Sequence, residues 1–234
     1  MDQSIIAIVF FAGVLPALFW VWFWLKEDAR KPEPFQLIAL AFLGGMLMVP
    51  AAYHLQKLLH GLYTENTEML VWVVVEEVLK YAAALLLVLW RKAVNEPIDL
   101  FIYMVVVALG FSALENTLFL IDPLMNGAYM ESIITGKFRF LGATLVHVLS
   151  SGIIGVTLAF AYYKSRQQKI LFSLLGLSSA IALHATFNFL IIGSTGEGIL
   201  NILFLVWIGI VALLFTLEKV KHSHPPITNR SLKR

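Results

Sequence analysis

Two adjacent glutamates, Glu76 and Glu77, followed by Lys80, interrupt an apolar stretch that begins Met69-Leu-Val-Trp-Val-Val-Val. The next apolar stretch carries Glu115-Asn116, the one after it His147 with Ser151, and the following one His184 with Asn188. On a helix, Lys80 reaches either carboxylate, being four residues after Glu76 and three after Glu77. The His–Ser and His–Asn pairs at i, i+4 each share one face. Carboxylates beside imidazoles at a hydrated site suit the activation of water for hydrolysis. A glutamate in low dielectric holds its proton more tightly and serves as a general base, while a neighbouring lysine keeps a second glutamate ionised. The two can then divide base and acid roles. Imidazole and amide groups such as those of His184 and Asn188 suit an oxyanion. The same set suits zinc, through His147, His184, Glu115 and Glu76 with one position open for water, and residue types alone do not separate the two versions. Each feature also has a quieter reading: a Glu–Lys pair joining helices, a hydrogen-bonded packing histidine, a buried protonated glutamate.

The elements that must position these groups are membrane helices. Of 234 residues, 59% are hydrophobic and only 14% charged, against about 25% charged in a soluble domain. That excludes a disordered chain, a nucleic-acid-binding protein and a secreted disulfide scaffold, and without cysteine there is no thiolate nucleophile or Cys-ligated metal. Seven apolar runs approach the roughly 20 residues that cross a hydrocarbon core as a helix. They are Ser4–Leu25, Phe35–Leu55, Met69–Leu89, Ile98–Ile121, Phe138–Tyr163, Ile170–Ile192 and Ile199–Leu217. The expected fold is an all-α polytopic bundle, one transmembrane domain over 1–217 with a short basic tail over 218–234. Thirteen of the seventeen Lys and Arg residues fall on one side, including Lys26, Arg30, Arg91, Lys164 and the tail. Basic residues stay in the cytoplasm, which puts the N-terminus outside and the tail inside, in a multi-pass protein of the cell membrane. Pro16 and Pro50 fall inside spans as packing kinks. The stretch His54–Thr67 reads as a helix lying in the interface, and Asp122–Lys137 as a mobile outer loop. His222-x-His224 reads as part of a solvated tail.

Three ionisable groups in span three cost about 8–10 kcal/mol on insertion scales, against roughly 7 kcal/mol returned by its apolar remainder. This helix therefore needs a polar bundle interior. At ~1.5 Å per residue, Glu76, Glu77, Glu115, His147 and His184 all fall some 9–13 Å from the outer ends of their spans. Unrelated structural polar groups have no reason to share a depth, whereas a shared site has one. Other intramembrane protease chemistries fit poorly: there is no His-Glu-x-x-His, Asp99 and Asp122 sit only at span ends, and no Gly-x-Ser-x-Gly surrounds Ser150 or Ser151. The rival reading is a proton- or cation-coupled transporter, which predicts polar groups spread through the whole membrane depth.

Glu76-Glu77-x-x-Lys80, Phe111-x-x-x-Glu115-Asn116, His147-x-x-x-Ser151 and His184-x-x-x-Asn188, in that order, resemble the motifs of the PrsW family. These are multi-spanning membrane proteases distantly similar to the CAAX-prenyl endopeptidase (Abi) superfamily. The stretch Lys26-Glu-Asp-Ala-Arg-Lys-Pro-Glu-Pro34 is similar to the family's segment after span one. The resemblance implies first-site cleavage of a membrane-anchored anti-sigma factor outside the cytoplasmic face. It further implies Glu76 as general base, Glu77 and Lys80 as its orienting partners, and His184 with Asn188 at the oxyanion. His147 and Glu115-Asn116 would complete the water or metal site. Where the CAAX enzymes carry Phe-x-x-x-His, this chain has Glu115.

Overall fold

The computed structural model describes residues 3–28 and 31–223. Arg30, His224 and the tail charges Arg230, Lys233 and Arg234 lie outside the described residues. Among the described residues the chain is helical throughout: α1 (Gln3–Leu25), a 3-10 turn over Lys26–Asp28, α2 (Phe35–Leu59), α3 (Glu65–Ala84), α4 (Pro97–Met125), α5 (Tyr129–Phe138), α6 (Thr144–Phe160), α7 (Arg166–Ile192) and α8 (Glu197–Lys221). A π turn over Leu85–Leu89 prolongs α3, and another over Arg139–Ala143 joins α5 to α6.

Six of these rods, counting α5 and α6 as one, are long and apolar enough to cross a bilayer. The seventh, α3 with its π turn, has the length but carries Glu65, Glu68, Glu76, Glu77 and Lys80. Large apolar side chains such as Leu47, Leu86, Ile192 and Phe215 stand on the outside of the bundle. That surface suits acyl chains and would be ruinous in water. The chain is a multi-pass membrane protein with an all-α bundle fold.

The bundle is organised around α4. Every residue from Phe101 to Ala113 on it is buried, which a helix achieves only when neighbours cover it on all sides. Helices α1, α2 and α6 pack against it, and glycines set how closely they approach. A Cβ on Gly110 would run into the Phe42 carbonyl of α2, and one on Gly45 into the Val107 carbonyl of α4. Similarly, Gly13 lies on Ala113 and Thr117, and Gly155 on Phe101. Close backbone approach through small residues is how membrane helices associate when lipid is as apolar as the side chains. Pro97 at the first turn and the Asp99 carboxylate, which accepts from the Asn95 and Glu96 backbone N–H groups (both 2.7 Å), start α4. Near this end Glu33 is partly buried and accepts from the Tyr103 hydroxyl, and burial pushes its carboxyl up to about 7.

Two expectations about the outer connections are corrected. No separate interfacial helix follows span two: α2 itself continues through Leu59 and stops before Gly61, whose φ of 76° suits only glycine. The stretch Asp122–Lys137 is no irregular loop either. Helix α4 runs on to Met125, Gly127 turns the chain at φ 73°, and α5 follows and runs unbroken into α6. Both prolines, Pro16 and Pro50, remain inside their helices. Gly110→Ala is expected to lower stability by about 1–3 kcal/mol through overpacking at the α2–α4 crossing. Gly193→Ala, where the nearest atom is 3.5 Å from the added carbon, should stay within about 0.5 kcal/mol. Thermal unfolding of the two variants in detergent checks the difference, and equal midpoints would show the crossing is not close-packed.

Candidate active site

The polar face of α3 points inward because every other face of a membrane helix meets lipid or apolar neighbours, and α2, α4, α6 and α7 surround it. Glu77 and Lys80 are completely buried. A single oxygen of Glu77, Oε1, accepts from Lys80 Nζ at 2.5 Å, from Ser150 Oγ of α6 at 3.1 Å and from His184 Nδ1 of α7 at 2.7 Å. Its other oxygen is buried and has no partner among the described residues. One carboxylate thus ties three helices together.

The donors on Glu77 set the tautomers of both histidines. A lysine ammonium only donates, so Lys80 Nζ, 3.0 Å from His147 Nδ1, leaves that ring's proton on Nε2. His147 Nε2 then donates to Glu115 Oε2 at 3.0 Å. An ionised carboxylate only accepts, so His184 donates through Nδ1 to Glu77, and its Nε2, a lone pair in the neutral ring, stands 4.0 Å from Glu76 Oε2. The rings stand edge to face with centroids 4.9 Å apart. The two histidines therefore meet their carboxylates through opposite ring nitrogens, His147 through Nε2 and His184 through Nδ1.

In front of them lies a cavity of about 810 Å³, lined by Glu76, Glu115, Arg139, His147, His184 and Asn188, with Trp72, Phe119, Phe138 and Phe187 among its apolar walls. Glu76 is held by the Gln56 amide at 3.1 Å, and Glu115 by the Arg139 guanidinium as well as by His147. Asn188 lines the cavity without a side-chain hydrogen bond among the described residues, so its amide is uncommitted. Asn116 does not reach the cavity: its Nδ2 donates to Thr144 and Ser112, and its Oδ1 accepts from Arg139 Nε at 2.6 Å. Ser151, placed by spacing on the His147 face, is buried and has no partner among the described residues, whereas its neighbour Ser150 takes the contact to Glu77.

Arg139, Gln56 and Ser150 escape the sequence reading. Arg139 stands at the start of the span that carries His147, and that position beside an intramembrane glutamate is the signal that could have paired it with Glu115. No comparable signal singles out Gln56, which reaches Glu76 from the last turns of α2.

A ligand atom from each of Glu76, His147 and His184 lies within 4.8 Å of the others, two imidazoles and a carboxylate, the donor set of a zinc site with an open position. Behind them Glu77 holds His184 through Nδ1, the outer-shell arrangement that orients metal-bound histidines. Glu76 and neutral His184 could hold such an ion as they stand, whereas His147 would first have to give up the Nε2 proton it donates to Glu115.

Residues 33–216 match the model of the PrsW family intramembrane metalloprotease. The chain belongs to the PrsW family. It is 28% identical over 162 residues to Protease PrsW of Geobacillus kaustophilus, covering 68% of each chain. To Protease PrsW of Shouchella clausii it is 24% identical, over 81% of this chain and 85% of that one. To Protease PrsW of Bacillus subtilis it is 23% identical, over 77% and 81%. No solved structure matches. The PrsW-family chain is thus a membrane-embedded peptidase, and the transporter alternative gives way.

If Glu77 carries the packing of α3, α6 and α7, Lys80→Met should destabilise the protein by about 3–5 kcal/mol, the cost of stranding a buried charge. Ser150→Ala should cost only about 1 kcal/mol. Unfolding midpoints measured in one detergent give the ratio, and a Lys80→Met loss no larger than that of Ser150→Ala would refute the assignment of the hub.

Proposed function

We propose that this PrsW-family protease hydrolyses a peptide bond of a membrane-anchored protein near its extracytoplasmic boundary, with a single-span anti-sigma factor as the substrate class. The convergence of Glu76, His147 and His184 on one cavity carries this reading. The basic residues gathered at the opposite ends of the helices favour an extracytoplasmic cavity. The three relatives compared above are all named Protease PrsW.

Glu76 is the general base. Its Gln56 contact occupies Oε1, leaving Oε2 toward the cavity, where it accepts a proton from water as the water oxygen bonds to the scissile carbonyl carbon. The developing oxyanion is met by the uncommitted amide of Asn188. As the C–N bond breaks, the proton held on Glu76 passes to the leaving nitrogen, so the balance is one peptide bond and one water consumed. His184, with its Nδ1–H committed to Glu77, works in its neutral form through the lone pair at Nε2, as a proton acceptor or a ligand. Glu77 and Lys80 orient the two rings, and Arg139 with Asn116 holds Glu115 in place. Zinc held by Glu76, His147 and His184 would acidify a bound water and polarise the carbonyl, with Glu76 then serving as a ligand in place of the base and His147 giving up its Nε2 proton.

The test uses the full-length protein in nanodiscs with a single-span anti-sigma substrate, assayed with and without chelator and with zinc restored. Glu76→Gln should lower cleavage by about 10²–10⁴-fold, the usual span for a lost general base. Glu77→Gln should lower it while also lowering the unfolding midpoint. Cleavage by Glu76→Gln at the unmodified rate would reject the assigned base. Activity that survives chelation unchanged would reject the metal while leaving the glutamate chemistry standing.

A further inference from the structure

About 24 Å along α4 from Glu115, at its opposite end, a second group of carboxylates is drawn together, unrelated to the cavity. Asp28 ends the 3-10 turn after α1, Glu33 stands in the connection to α2, and Asp99 caps α4. An oxygen from each lies within 4.8 Å of the others. Asp28 is 4% exposed and Asp99 1%. Three carboxylates so placed repel one another and lose their hydration, and a protein keeps such a group only with a compensating positive charge or protons.

The neighbours compensate only in part: Glu33 and Asp99 share a side-chain hydrogen bond, and Lys31 and Lys221 attract Asp28 from a distance. Asp99 Oδ2 takes the two capping N–H groups at 2.7 Å, and Glu33 takes the Tyr103 hydroxyl. Lys31 is committed to Glu96, outside the trio, and Lys221 to Glu27 and Glu218. Among the described residues, Asp28 Oδ2 is buried and has no hydrogen-bond partner. A buried, orphaned carboxylate oxygen on one member of such a trio is the arrangement that a hard cation completes. Such ions take several oxygens, chiefly carboxylates, and there is no nitrogen or sulfur ligand in the group.

We infer that Asp28, Glu33 and Asp99 form a second metal site, specific for a hard divalent cation of the Mg²⁺, Mn²⁺ or Ca²⁺ class, at the end of the bundle opposite the peptidase cavity. The ion cross-links the end of α1, the α1–α2 connection and the start of α4. By the distribution of basic residues this end faces the cytoplasm, where the membrane protein meets millimolar Mg²⁺. The inference does not depend on the peptidase mechanism.

Mn²⁺ is the probe, read by electron paramagnetic resonance on the purified full-length chain in the His184→Ala background, so that the cavity histidine makes no contribution. The expected result is saturable binding of one ion per chain, displaced by Mg²⁺ or Ca²⁺ and weakened about ten-fold or more by Asp28→Asn, since affinity at such sites follows the number of ligand charges. Glu33→Gln, in a partly exposed connection, should weaken it likewise and serves as the comparison if Asp28→Asn does not fold. No saturable Mn²⁺ binding with the trio intact would overturn the inference, and so would binding undiminished in both variants.

Discussion

A carboxylate with no access to water governs how this bundle packs. Glu77 lies wholly inside, and its charge is tolerable only because Lys80, Ser150 and His184 all direct hydrogens at one of its oxygens. Those three donors come from α3, α6 and α7, so the electrostatic requirement of one side chain sets the relative rotation of three helices. In a membrane the usual hydrophobic drive between helices is absent, and a buried charge cluster supplies register that apolar contact cannot. The remaining contacts are made by close approach, with Gly45, Gly110, Gly13 and Gly155 letting backbones meet around α4.

The same network that holds the helices also differentiates the chemistry in front of it. Lys80 behind His147 and Glu77 behind His184 give two identical rings opposite proton placements. Glu76, by contrast, has only a neutral amide on one oxygen and stands at the cavity wall. A base and a ligand lone pair are thereby set beside an N–H that is already engaged with Glu115. Catalytic preorganisation and fold specificity share the same residues, which is why substitutions at Glu77 or Lys80 must be judged by stability as well as rate.

Helix α4 connects the two polar ends. Buried along nearly its whole length, it presents Glu115 to the cavity and Asp99 to the opposite acidic group, with only apolar residues and Tyr103, Gly110 and Ser112 between them in the stretch Leu100–Ala113. A rod clamped on all sides transmits displacement from one end to the other better than a surface helix does, because close-packed interiors have little room to absorb a shift.

The chain's own order of residues determined the membrane class, the seven rods and the common depth of the glutamates and histidines, since hydropathy and i, i+4 spacing are local properties. It also placed Glu76, Glu77, Glu115, His147 and His184 in one layer and set Lys80 within reach of the two glutamates of its own helix. Tertiary structure decided what depth cannot: which way each helix is rotated and which atoms touch. Ser150 rather than Ser151 reaches Glu77, Asn116 turns to Arg139 instead of the cavity, and Gln56 arrives from a helix end that spacing had assigned to the interface. A rotation of about 100° separates successive residues on a helix. Whether a side chain enters the site or stands behind it is therefore settled by glycine contacts and buried charges on neighbouring helices, far away along the chain.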